Sequence, residues 1–497
     1  MRAKINSVML GPMLLMGAQY TTQIVWPLVN LLVVRYLGPE QFGLYASAIA
    51  IITLLTFIPD FGLQQAALNL NARNQFSILS ILRKSMRMGM AYAGAAILLV
   101  IVWISLVPYD DVEIKWLAVL MSFTFLRVAC VTVITTRLQI NGNYSRIAIW
   151  NLSISSSQWI STLVLMFFDA GLYVLIVAPI GISLVIAGIM MVVQGRDLIL
   201  KPSASEQPEQ VPLKELFGGS WKFGVASSMH QLYYKSDAAL MSVFRAPVEV
   251  GYYTVAFKLI ELFFLFPGVV FNQVLYPKYV VWCRDNVQKL KMYYSLMNKV
   301  MILTGIIVTF FLLFFSRDLL GLLFGEKNKS AIQFLNLLAF AVPLRFWVSS
   351  AGAVLTNEKL IVVKMKIQAG IAVLNVSLNL LLIPLWGGIG AAAAMIATHV
   401  VLLAAYEFAA HKFVFGFEKR GTFTRMAVHY PIGLFVLGTA LYELAGEQSL
   451  LLKILACGFM VILVVPGTWG WLKKGEKNQL LSLIRKPAPE TAGSHSA

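Results

Sequence analysis

Apolar runs of about twenty residues alternate with short polar stretches along almost the whole chain, and a membrane-crossing helix needs about that length. The pattern predicts fourteen spans, near residues 12–34, 42–63, 88–107, 116–136, 147–168, 172–193, 218–241, 250–275, 297–315, 331–354, 363–383, 388–410, 427–444 and 450–472. A polar linker at 196–217 follows the sixth span, and a polar tail, 473–497, follows the last. The expected fold is therefore an all-α polytopic membrane protein. Every connection on the side expected to face outward is short, which leaves no room there for a soluble domain.

The second span opens on Gly38-Pro39-Glu40-Gln41-Phe42-Gly43-Leu44-Tyr45, and the eighth opens on Ala246-Pro247-Val248-Glu249-Val250-Gly251-Tyr252-Tyr253. The spacing from Gly43 to Pro59 equals that from Gly251 to Pro267. Both prolines are read as lying inside a helix, where a missing N–H and a ring clash make a bend point. Phe125-Leu126-Arg127 and Pro343-Leu344-Arg345 make a second echo. Repeated halves are common in transporters, with the substrate held where the repeats meet. The expected organisation is two pseudo-symmetric six-helix lobes, 1–195 and 218–410, and two additional spans within 411–472.

Composition sharpens the class. Of 497 residues, 59% are hydrophobic and 13% charged, about half the charged fraction of a soluble protein. The formal net charge of +17 does not signal nucleic acid, because the basic residues fall in alternate loops. Arg83, Lys84 and Arg87, then Lys278, Arg284, Lys289 and Lys291, then Lys412, Lys419, Arg420 and Arg425 all lie on one side. Intervening connections carry few basic residues, and one carries Asp110, Asp111 and Glu113. Basic loops stay in the cytoplasm, so both termini are expected there. Cys130, Cys283 and Cys457 are scattered without metal spacing or a disulfide framework. No phosphate loop, dinucleotide fingerprint or nucleophile elbow is present, so neither a cofactor nor a metal is expected.

Charges that persist inside the spans are the candidate functional groups, since each costs roughly 3 kcal/mol near the bilayer centre. Arg127, Lys235, Lys258 and Arg345 are expected to line a cationic cavity, with Lys222 at its inner mouth. Arginine suits bidentate phosphate binding and lysine a point contact, so the expected cargo is anionic. Asp60, Asp237 and Glu261 are candidates for ion or proton coupling or for balancing charge. Glu261 lies one helical turn from Lys258, where the two can pair along one face. Tyr233, Tyr234, Tyr252 and Tyr253 fit an interfacial aromatic belt.

Leu37 to Tyr45 with Asp60-Phe61-Gly62-Leu63, the run Tyr234 to Met241, and Ile383-Pro384 with Gly387 to Ala391 together resemble the polysaccharide (O-antigen) flippases of the Wzx type. These belong to the multidrug/oligosaccharidyl-lipid/polysaccharide exporter superfamily. The resemblance covers most of the chain. It implies a fourteen-helix exporter, not an enzyme, that moves polyprenyl-pyrophosphate-linked oligosaccharide across the bacterial inner membrane by alternating access. It implies lipid-linked glycan and membrane lipids as partners, together with other polysaccharide assembly proteins, and the diphosphate fits the cationic cavity. Relatives that flip the peptidoglycan precursor carry arginines in the first span, whereas this chain has Gln19 and Gln23 there. A drug exporter of the same superfamily and a membrane glycan-assembly enzyme are the alternative readings.

Overall fold

A computed structural model describes residues 2–73, 76–200, 211–269, 279, 282–283, 285–356 and 360–416, together with 440, 452–456, 458–459 and 477. The chain is all-α with about fourteen helices. The helices that frame the candidate site are α1 (Arg2–Leu55), α2 (Leu63–Ala72), α3 (Ile78–Leu106), α4 (Val112–Ser122), α5 (Thr124–Ile140), α6 (Tyr144–Phe167), α7 (Leu172–Leu200), α8 (Leu213–Phe244), α9 (Pro247–Val269), α10 (Val287–Phe324), α11 (Ile332–Ala339), α12 (Ala341–Val354) and α13 (Ile361–Ala410). Six helical stretches among the described residues are long and apolar enough to cross a membrane, or seven if the bent pair α11–α12 is one span. The protein is a multi-pass membrane protein. Its thirteenth and fourteenth predicted spans fall almost entirely outside the described residues.

Two compact units emerge. One comprises Met1–Lys258, Leu320–Ala331 and Gln368–Ala394, and the other Leu259–Leu319, Ile332–Ile367 and Met395–Ala497.

In the first unit, α1 is broken at Gly38, whose φ of 70° and ψ of 177° leave the helical region. Pro39 then begins the second segment, where its absent N–H costs nothing. The matching turn ends α8 with Arg245 in an extended conformation and starts α9 at Pro247. The two echoed turns lie against each other. A β-carbon on Gly43 would overlap the backbone carbonyl of Pro247, and one on Gly251 would sit 3.1 Å from the Gly43 Cα and 3.1 Å from the Pro39 oxygen. Only glycine permits this approach of backbone to backbone.

The same turn fixes another break. At Gly387, φ is 59° and α13 loses its helical path. The Arg245 guanidinium donates to the Ile383 carbonyl from Nε (3.1 Å) and Nη2 (2.9 Å), and to Pro384 O from Nη2 (2.9 Å). Glu249 Oε1 accepts the Gly388 N–H at 2.7 Å. Carbonyls and an N–H released by the break are thus met by side chains flanking Pro247, as a lipid environment requires.

One sequence expectation fails here. Pro59 is not inside a helix: α1 ends at Leu55, and residues 56–62 form a turn. Phe61 (φ 33°) and Gly62 (φ 76°) are left-handed, and Asp60 accepts backbone N–H groups from Gln64 (3.1 Å) and Gly62 (3.3 Å). This local capping of α2 outcompetes continuation of α1. The turn is seated on α8, where a β-carbon on Gly224 would collide with the Phe61 ring. Pro267 does lie within a helix, near the end of α9, so the equal spacing of the two prolines does not give equal structures.

The Arg127 and Arg345 echo extends further than the sequence suggested. Each arginine follows an interruption in its span, at Phe123 between α4 and α5 and at Phe340 between α11 and α12. The second interruption bends the pair by 41°. In the second unit, Gly305 of α10 packs directly on Pro343 beside that bend.

The Gly43 contact yields a testable outcome. Gly43→Ala is expected to destabilise by about 1–3 kcal/mol through overpacking against backbone that cannot rotate away, or to prevent folding. Gly94→Ala on α3, which faces open space, is expected to leave the melting temperature in detergent unchanged.

Candidate functional site

The first unit holds a buried carboxylate that no cation among the described residues pairs with. Asp237 of α8 is 6% exposed. Asn379 Nδ2 of α13 donates to its Oδ1 at 2.7 Å, and the Tyr253 hydroxyl of α9 donates to its Oδ2 at 3.2 Å. The same Asn379 amide reaches Asn375 Oδ1 at 3.1 Å, which also accepts Ser236 Oγ at 2.8 Å. Among the described residues no Lys or Arg pairs with Asp237, and the buried Asn379 Oδ1 has no hydrogen-bond partner. Three helices therefore hold one carboxylate with neutral donors. Each hydrogen bond to a charged group contributes about 1.5–3 kcal/mol, so the network keeps the carboxylate tolerable inside an apolar span.

Tyr253 is 1% exposed. It is part of this network and not of an aromatic belt at the surface. Asn375 and Asn379 were not singled out from sequence, although their spacing of four places both on one face of an apolar helix. That pattern was the available signal, and a search restricted to charged residues passes over it.

The predicted cations fall into different settings. Lys258 Nζ donates to Asn30 Oδ1 of α1 at 2.8 Å, and Asn30 is 4% exposed. Lys235 lies over the rings of Tyr234 and Phe257, 5.0 and 5.5 Å from their centroids. Such a contact stabilises a desolvated ammonium by up to about 2 kcal/mol. Arg127 on α5 is partly buried, and its Nε, itself out of contact with solvent, has no hydrogen-bond partner among the described residues. Lys222, near the start of α8, is exposed. Asp60 directs both oxygens to backbone N–H groups of its own turn.

Arg345, Glu261 and Pro267 belong to the second unit. Arg345 stands 5.8 Å from the Phe264 centroid and interacts electrostatically with Lys364 and His399. Lys364 Nζ is tied to Thr356 Oγ1 at 2.6 Å and Gly352 O at 3.1 Å. The second unit thus adds Lys364, which the sequence alone did not single out, to the neighbourhood of Arg345. No group of three or more His, Cys, Asp or Glu side chains capable of holding a metal occurs among the described residues.

Comparison with known proteins places these features in a family and a fold. A family model described as "Polysaccharide biosynthesis protein" matches residues 32–333, well over half of the chain. The structure is similar to the lipid II flippase MurJ in an inward closed conformation, with TM-score 0.66 and 15% identity, over 95% of this chain and all of that one. It is also similar to the inward-facing conformation of a multidrug resistance MATE family transporter of the MOP superfamily, with TM-score 0.59 and 13% identity, over 78% of this chain and 94% of the other. An outward-facing MATE family transporter matches with TM-score 0.50 and 14% identity, over 81% and 94%. No curated protein sequence matches the chain. The chain shares the fold of these solved structures.

The Asp237 network makes its own prediction. Asn379→Leu is expected to destabilise by about 1–3 kcal/mol, because it strips a donor from a buried carboxylate. Combined with Asp237→Asn it is expected to cost clearly less than the sum of the two single changes. A double-mutant cycle by thermal unfolding reads this coupling, and simple additivity would remove the network from the account.

Proposed function

The chain belongs to the family of polysaccharide biosynthesis proteins, and from that membership we propose that it flips polyprenyl-pyrophosphate-linked oligosaccharide repeat units across the bacterial inner membrane by alternating access. The observation that supports this most directly is a glycan-assembly family on a flippase fold with basic side chains kept inside its spans. The Arg127 guanidinium, with a buried Nε–H that no acceptor among the described residues takes, is suited to an anionic guest.

In this reading Arg127, Lys235, Lys258 and Arg345 bind the diphosphate and Lys222 receives it at the inner mouth. The guanidinium groups contribute bidentate contacts, and the lysines contribute charge without a fixed geometry. Two lobes, 1–195 and 218–410, rock about the bound lipid, with Pro267 as a bend point. Pro59 acts within the turn that seats α2. Asp237 is the coupling group, since a carboxylate held by neutral donors can gain or lose a cation without first breaking a salt bridge. Glu261 balances cavity charge, and Asp60 contributes through its turn. Both termini face the cytoplasm, and other polysaccharide assembly proteins work beside the transporter.

The likeness of the fold to MATE transporters favours a second reading, ion-coupled export of drugs. One experiment separates the two. Arg127→Ala or Arg345→Ala in the native host is expected to reduce surface polysaccharide by tenfold or more, while lipid-linked intermediate accumulates at the inner leaflet and its synthesis continues. Normal polysaccharide with lost drug resistance would overturn the glycan reading. Asp237→Asn is expected to lower the transport rate while leaving lipid-linked substrate able to bind, so an unaltered rate would remove Asp237 from coupling.

A further inference from the structure

The second unit contains another carboxylate that the flippase reading does not use. Glu407 lies near the end of α13, and three neutral donors converge on its Oε1. These are Trp347 Nε1 of α12 at 2.6 Å, Tyr294 Oη at 2.8 Å and Asn298 Nδ2 at 3.1 Å, the last two one turn apart on α10. No basic side chain pairs with Glu407 among the described residues, and its Oε2 accepts no hydrogen bond from them. The donors hold the carboxylate in place, yet no counter-charge to it occurs among the described residues.

The surrounding acceptors point the same way. Asn298 is 8% exposed, and its buried Oδ1 has no hydrogen-bond partner among the described residues. Because Nδ2 of the same amide is bound to Glu407, this oxygen lies within about 2.3 Å of an atom bonded to the carboxylate, given ordinary amide geometry. Tyr279, 2% exposed, has a buried hydroxyl with no hydrogen-bond partner among the described residues, and it lies near Tyr294. Buried unsatisfied groups are costly and call for an explanation. Lys299, which follows Asn298 on α10, is 3% exposed and is already engaged by other groups. His411 sits one turn beyond Glu407, and its Nδ1 is buried without a partner among the described residues. It opens a π-helical turn, His411–Phe415, a distortion frequent at functional sites.

We propose that Glu407 Oε2 and Asn298 Oδ1, with the neighbouring phenol oxygens, form a binding site for a small monovalent cation of the sodium type. Oxygen-only donors select a hard cation. The single carboxylate neutralises a single charge, whereas calcium and magnesium sites recruit more carboxylates or a phosphate. A proton would satisfy one oxygen and leave the amide oxygen orphaned. The site is separate from Asp237, and its occupancy does not depend on which cargo the protein carries.

Thermal unfolding of the purified full-length protein in detergent tests the site, comparing sodium, potassium and choline chlorides at equal ionic strength. The melting temperature is expected to be highest in sodium and to rise with the logarithm of sodium concentration, as binding to the folded state alone requires. Glu407→Gln is expected to abolish the sodium-specific rise, and Asn298→Ala to weaken apparent sodium affinity about tenfold or more, while Gly94→Ala, which faces open space on α3, retains the response. Should Glu407→Gln fail to fold, Asn298→Ala decides. Equal melting in all three salts would overturn the proposal. So would a sodium response that survives both site variants, a response lost only in Asp237→Asn, or stabilisation by acidification that fully replaces sodium.

Discussion

The turn from Arg245 to Tyr253 is the contact on which the first unit depends. Its Pro247 carbonyl lies against Gly43, its Arg245 and Glu249 take up the backbone groups freed at the Gly387 break, and its Tyr253 hydroxyl reaches Asp237. The governing constraint is that lipid satisfies no N–H or C=O group. Every interruption of a span must then be met by protein, and each such meeting is a fixed point of packing. Here one nine-residue segment supplies the partner for a broken helix, the close approach to another and a hydrogen bond to the buried acid. Repetition of its sequence at Gly38–Tyr45 follows from the same need, because two turns can interlock backbone to backbone only if both carry glycine at the crossing.

This explains which parts of the fold were legible in the sequence. Gly38-Pro39 and Gly387 were readable as breaks because glycine and proline act locally and in known ways. Pro59 misled because proline has two uses. It kinks a helix when the chain continues, and it opens a turn when a following carboxylate and glycine can satisfy the backbone. Asp60 and Gly62 supply the second condition, so the helix stops. Interruptions at Phe123 and Phe340 left no signal, since both residues keep right-handed helical angles. The Arg127 and Arg345 echo marked those interruptions without revealing them.

The functional groups divide along a similar line. Charges inside apolar runs are conspicuous, so Lys235, Lys258, Arg127 and Arg345 could be named from sequence. What each charge meets could not be read, because Asn30 is more than two hundred positions from Lys258 and its amide is unremarkable in composition. Asn375 and Asn379 share a helical face, yet their importance appears only when Asp237 is set opposite them. Tyr253 shows the converse error: an aromatic at a span end resembles a belt residue until its burial and its hydroxyl partner are known.

Asp237 and Glu407 are both held by neutral donors. Amide, phenol and indole groups position the two acids without cancelling their charge. A salt bridge would have fixed each acid in one electrostatic state, since removing either partner of a buried pair costs several kcal/mol. Neutral donors fix geometry and leave the charge to be completed by something mobile. For a transporter this matters, because only a ligand with different affinity for two conformations can shift the balance between them. A carboxylate whose donors come from separate helices gives a mobile cation that difference, since any movement of one helix against another changes how many oxygens the cation meets.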